Sequence, residues 1–553
     1  MEIQLTQQAA ASGAPWLSII TWLPLLGALM LMGVPKEHDK IHKGLALAWS
    51  GLVFLVSLAI FPAFNNEIAG FQLIENKPWI EALGIRYALG IDGISFWLVI
   101  LTTFLTPLII LGCWNSVEKR VKEFMICFLV LETAMLGALL AIDLFFFYLF
   151  WEMMLIPMYL LIGVWGGKDR IHATIKFFIY TAVGSLLMLV AIFYLYAQQP
   201  ADQAPSFMLE NFYGLKLSLK EQLYMFGAFG LAFAIKVPLF PFHTWLPRAH
   251  VQAPTAGSVI LAGVLLKMGT YGFVRFAMPM FPDAVKIFTP YIAGFAVIGI
   301  IYGAFLAYAQ SDVKRLVAYS SVSHLGFVML GLMAASEQAV EGAVMQMLNH
   351  GISTGALFLL VGMIYERRHT REISEFGGIS KAMPIFAIFL MIVTLSSVAL
   401  PGTNGFVGEF LIFAGTFSAD GLWDLRWYVA IGALGVIFGA LYMLYMFQQV
   451  MFGPLDNPKN KVLKDLNARE IIVMVPLIAL IFIMGVAPNY FLKPMHASVD
   501  RFLTLSQATT MPADDAEGRA RIQKLVVRKA KRDQERKESE QKAKDTRTAG
   551  VAR

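Results

Sequence analysis

The chain has 553 residues, 58% of them hydrophobic and 15% charged, and carries a formal net charge of +6. Soluble domains carry about 25% charged residues, so this balance excludes one and indicates an integral membrane protein. Cys113 and Cys127 both lie in apolar runs and form no CxxC pair, which argues against an iron–sulfur cluster or a disulfide framework.

Taken in order, the apolar runs able to cross about 30 Å of hydrocarbon number about fourteen. They lie at 16–33, 44–63, 95–114, 123–141, 143–165, 173–197, 223–247, 254–279, 287–309, 312–333, 338–365, 383–413, 427–452 and 470–491, and those at 223–247 and 383–413 are broken. The first run lacks a basic leader and a small-residue cleavage site, so it reads as a retained span. Between the first spans and the third, residues 64–94 predict a hairpin on the outer face, and 200–222 hold an interfacial segment.

Loop charge sets the orientation. Basic clusters fall at Lys36/Lys40/Lys43, Lys119/Arg120/Lys122, Lys168/Arg170, Lys314/Arg315, Arg367/Arg368/Arg371 and Lys459/Lys461/Lys464, all on one side of the expected membrane. The alternate loops are acidic or neutral. This places the N-terminus outside, and an even span count places the C-terminus there too. The basic tail after Arg519 reads as a solvated helix or a disordered extension.

Spans four to eight and nine to thirteen make two groups of five, and an odd number per group inverts the second against the first. The fourth span of each group is the broken one, KVPLFPFHTWLP in the first and SSVALPGTNGFVGEF in the second. Proline and glycine loosen the backbone there. The expected organisation is 1–122, N-terminal helices with the outer hairpin; 123–279, a first repeat; 280–452, a second, inverted repeat; 453–500, the last helix and its flanks; and 501–553, the tail.

Ionisable groups at membrane depth are functional candidates by default. Glu152 lies mid-span between Tyr148 and Tyr159, and Lys236 precedes the first break as Glu409 follows the second. Lys267 sits too far inside its apolar run to snorkel easily. His324 and His350 each lie on a polar stripe of an apolar helix, as structural glue or as a relay that titrates near neutral pH. No HxxxH or HxH accompanies them, so no metal site is expected. Glu152 and Lys236 are expected to pair, and Lys267 to pass protons towards His324. Glu132, Asp143 and Lys176, nearer span ends or tight loops, read as structural or vestibular.

The strings FWEMMLIPMYLLIGVWG, FPFHTWLPRAHVQAPTAGSVILAGVLLKMGTYGFVR, SSVSHLGFVMLG and LPGTNGFVGEF, spread over residues 95–490, resemble the proton-antiporter-like membrane subunits of respiratory complex I, the M-type (chain 4) members most closely. The resemblance implies an all-α polytopic fold of about fourteen transmembrane helices with two inverted five-helix repeats, a half-channel in each, and a joining polar axis. It implies that Glu152 is the essential glutamate, Lys236 its partner, Lys267 the central lysine, His324 and His350 the links and Glu409 the terminal acid. Arg248, where bacterial members often carry aspartate, departs from the pattern.

The expected function is therefore proton translocation by a non-redox subunit of an NADH:quinone oxidoreductase in a bacterial inner membrane. Its partners would be other membrane subunits of that complex, the neighbouring antiporter-like ones above all, together with protons and lipid, and no nucleic acid. No dinucleotide fingerprint or cysteine cluster is present, so no cofactor is expected in this chain; flavin, iron–sulfur clusters and the quinone site belong to partner subunits. An Mrp-type cation/proton antiporter is the alternative.

Overall fold

The structure, a computed structural model, describes residues 14–202 and 204–551. Residues 1–13, on which the expected outer N-terminus falls, and the last two residues of the tail lie outside the described residues. Among the described residues, 12 helices are long and apolar enough to cross a membrane, from Trp16–Gly33 to Ala468–Val486.

The other two expected spans are interrupted where the prolines and glycines stand. The helix Leu219–Lys236 stops at Lys236 and resumes as the short helix Trp245–Gln252, past the 247 expected as its end. The helix Pro384–Ser397 is separated from Asn404–Ser418 by a turn in which Gly402 takes φ +91°. At Gly405 a Cβ would stand 2.1 Å from the Ser396 carbonyl oxygen, so only glycine lets the second half begin against the end of the first.

A third interruption was not anticipated. The fifth span divides at Met154 into Leu144–Met153 and Leu155–Trp165. Pro157 has no N–H to offer the Met153 carbonyl, which loosens the turn beside Glu152.

The predicted hairpin forms from Gln72–Ile80 and Ile85–Ile91, antiparallel with Lys77 opposite Tyr87. Its Glu75 carboxylate accepts from the Leu17 and Ser18 N–H groups at 2.7 and 3.1 Å, capping the first helix.

The loops carrying the basic clusters bond to one another at one end of the bundle. Lys43 donates to the carbonyls of Trp114 and Val117 at 2.7 and 2.8 Å, the Gly167 N–H to Gln252 at 2.8 Å, and Arg371 to Val251 at 2.9 Å. The hairpin end gathers the alternate loops: Leu144 N–H donates to Phe207 at 2.7 Å, Trp97 to Phe491 at 2.9 Å and Trp423 to Lys286 at 2.6 Å.

The tail is a long helix, Ala516–Val551, and its first half is docked rather than wholly solvated. Ile522 packs with Leu219 and Met511, the Asp515 carboxylate accepts from Leu219 N–H at 2.7 Å, and Lys529 donates to the Asp420 carbonyl at 2.7 Å. These contacts hold it on the hairpin end, opposite the basic loops.

Candidate functional site: a buried polar axis

The helical stretch from Thr255 to Met280 is buried along its length, and it winds as a π-helix at Leu261–Leu265 and at Phe273–Ala277, on either side of Lys267. A π-turn widens the backbone and recurs at functional positions. Here the Lys267 ammonium, on a residue 1% exposed, donates to the Ala262 carbonyl five residues back. Its Nζ also lies 2.6 Å from His350 Nδ1. Gly351 brings the two helices this close, since a Cβ there would meet Leu101 at 2.7 Å and the Gly263 carbonyl oxygen at 2.9 Å.

The His350 and His324 rings are 6.0 Å apart, centroid to centroid. His324 Nδ1 then lies 3.2 Å from Glu409 Oε1, which also accepts from Gln346 Nε2 at 3.1 Å. Four of the six expected residues thus form a line, Lys267–His350–His324–Glu409. Space reverses the chain order of the two histidines, because the His350 helix, Glu337–Arg368, lies between the other two elements.

Sequence reasoning saw the polar stripe at His350 but missed Asn349 and Asn404 in the amide support of this line. Asn349 Nδ2 donates to the Asn404 carbonyl at 2.7 Å and to Gln346 Oε1 at 3.0 Å, and Ser396 donates to Asn404 Oδ1 at 2.6 Å. This network ties the second break to the His350 helix. The signal was available: Gln346, Asn349, His350 and Ser353 follow helical spacing on one side.

The remaining two expected residues stand apart from that line. Lys236, 3% exposed, places its ammonium 4.7 Å from the Trp151 ring centroid, a favourable seat for a cation. Glu152 is partly buried, its Oε1 has no hydrogen-bond partner, and the Tyr148 hydroxyl interacts with its carboxyl. The expected Glu152–Lys236 pair is not closed here; the carboxylate acts on the ammonium only at longer range.

The structure also places several groups outside the line. Glu132 is fully buried within the helix Val121–Leu140, away from the span end where it was expected. His250, also fully buried, stacks on Phe358 at 4.6 Å with both ring nitrogens unpartnered. Arg248 is exposed at the basic-loop end, 3.2 Å from the His172 ring. At the other end of the Lys267 stretch, Arg275 pairs with Asp92, which caps the helix Gly93–Gly112. Burial works against the Asp92 charge, and the adjoining guanidinium more than offsets it, holding the carboxyl below its usual range.

A bundle of apolar helices with interrupted spans and a buried acid–base line has the architecture of the antiporter-like membrane subunits. The family model described as NADH:quinone oxidoreductase/Mrp antiporter matches residues 141–439, and that of NADH-ubiquinone oxidoreductase chain 4, amino terminus, matches 42–142. The NADH-quinone oxidoreductase subunit M of Rhodobacter capsulatus is 45% identical over 513 residues, covering 89% of this chain and 99% of that protein. The NADH-ubiquinone oxidoreductase chain 4 of Marchantia polymorpha is 43% identical over 490 residues, covering 88% and 97%. A chain of respiratory complex I from Thermus thermophilus superposes with a TM-score of 0.81 at 32% identity, covering 89% of this chain and all of that one. A chain of the Mrp complex from Dietzia sp. DQ12-45-1b shares the fold alone, with a TM-score of 0.75 at 18% identity and coverage of 94% and 55%. The chain belongs to the subunit M (chain 4) family of NADH:quinone oxidoreductases.

Proposed function

We propose that this chain translocates protons as a membrane subunit of an NADH:quinone oxidoreductase, through the line Lys267–His350–His324–Glu409 fed from Glu152 and Lys236. The observation that carries the reading is the 2.6 Å contact between Lys267 and His350. A protonated lysine donates there to an imidazole nitrogen, which makes the two a donor and acceptor for one proton. His350 Nε2 is left without a partner, and the 6.0 Å between ring centroids is a gap one water molecule bridges. Glu409 receives the proton at the second break.

In this reading Glu152 and Lys236 are the switch. Closing the pair steadies charge on both groups; opening it, as here, releases the lysine proton to the line. The energy arrives from partner subunits, which hold the flavin, the iron–sulfur clusters and the quinone site, while this chain holds the proton path. The fourteen spans in two inverted repeats, 123–279 and 280–452, the neighbouring antiporter-like subunits, and a bacterial inner membrane with both termini outside belong to the same proposal. The high identity to subunit M proteins, against a likeness of fold alone to the Mrp chain, favours it over a cation/proton antiporter.

The test uses the whole complex in sealed vesicles. Glu152→Gln and Lys236→Ala should each leave the complex assembled and lower the protons moved per electron. Wild-type stoichiometry in both variants would overturn the proposal.

A further inference from the structure

At the hairpin end of the bundle, two helices start side by side with chemistry that the proton line does not use. Glu337–Arg368 opens with Glu337 and Glu341, and His496–Gln507 opens with His496 and Asp500, each pair four residues apart and so on one helix face. Ligand atoms of Glu337, Glu341 and His496 all lie within 4.8 Å of one another. His496 Nδ1 touches the Glu341 carboxylate directly. Asp500 and Glu337 both face that carboxylate closely enough to act on its charge.

The charges here do not balance. Two carboxylates converge on one imidazole, Asp500 adds its charge beside Glu341, and even a protonated imidazole neutralises only one of them. Glu341 is 6% exposed, and a carboxylate that deep beside two others is costly unless a cation is shared between them. Glu337, His496 and Asp500 are exposed, so an ion reaches the cluster from solvent without opening the bundle. Paired ligands at helical spacing on two facing helices are also how helical proteins build metal sites.

We propose that Glu337, Glu341 and His496 form a binding site for a divalent transition-metal ion of the Zn²⁺ class. One imidazole nitrogen with carboxylate oxygens suits that class better than the all-oxygen cations Mg²⁺ and Ca²⁺. A bound ion ties the first turns of the His350 helix to the C-terminal helix. Glu341 lies five residues before Gln346, about 7.5 Å along the axis, so the clamp sits just beyond the Glu409 end of the proton line. The sequence expectation of no metal rested on motifs within one helix, whereas here the ligands His496 and Glu341 are 155 residues apart.

The experiment is metal uptake by the purified whole complex in lipid nanodiscs, after brief treatment with a mild chelator. Wild type, His496→Ala and Glu341→Gln are equilibrated with Zn²⁺, and with Co²⁺ as a visible-absorption probe. Wild type should take up one more Zn²⁺ per complex than either variant, and the Co²⁺ band of a low-coordinate nitrogen–oxygen site should vanish in both. Excess Mg²⁺ should leave that band in place. NADH:quinone activity in the metal-free state reports assembly, and His496→Ala, an exposed position, should retain it. Equal Zn²⁺ uptake by the three proteins, or loss of the band to Mg²⁺, overturns the site and leaves a plain His496–Glu341 ion pair.

Discussion

The ammonium of Lys267 meets Nδ1 of His350 at 2.6 Å across 83 residues of chain. The contact joins the helix wound by two π-turns to the helix that lies against the second break. On the proposed reading it is the first step of the proton line.

A carrier at this junction must lose its proton as well as hold it. Lys267→Arg keeps a positive charge that does not dissociate in proteins. We expect the variant to assemble and to reduce quinone, while the protons moved per electron fall. The check is vesicle acidification alongside NADH oxidation; full pumping with arginine would remove Lys267 from the path.

The closeness of the two helices depends on Gly351. A valine there places carbon against the Gly263 carbonyl oxygen and Leu101, in contacts that begin at 2.9 and 2.7 Å for a Cβ alone. Overpacking of this kind costs about 1–3 kcal/mol. Gly351→Val should lower the thermal midpoint of the purified complex and weaken pumping before it weakens electron transfer.

The ion pair of Asp92 with Arg275 should be structural. Both side chains are buried, at 4% and 7% exposed, and removing one partner of such a pair costs about 3–5 kcal/mol. Asp92→Asn should therefore destabilise the complex at neutral pH. The folded carboxyl titrates below its usual range, so its contribution is fully present above the ordinary aspartate pKa and is lost as pH falls through the lower folded value. Thermal midpoints of wild type and variant should differ at pH 7 and converge in strong acid.

Glu132 is buried within its helix and is not a member of the proposed proton line. Glu132→Gln should assemble and pump with wild-type stoichiometry. A lowered proton-to-electron ratio would instead place a second path through this helix.

The tail should loosen when its apolar contact with the bundle at Ile522 is broken. Ile522 packs with Leu219 and Met511, and Ile522→Asp puts a charge into that cluster. Limited proteolysis should then cut the tail faster, with proton pumping unchanged.

Local chemistry made much of this molecule legible before folding. A span is a run of apolar residues, a break is a cluster of proline and glycine, and a charge within a run stands out on sight. Lys236, Lys267 and Glu409 were found in this way, and the loop charges marked which connections gather at each end. What a single stretch of chain cannot hold is the relation between stretches. The place of His350 next to Lys267, with His324 beyond it, follows from how three helices pack. The open spacing of Glu152 and Lys236, the Asn349–Asn404 support and the meeting of Glu341 with His496 were decided in the same way. Each is a contact between residues far apart in the chain, set by the packing of whole helices, which hydropathy and spacing do not encode.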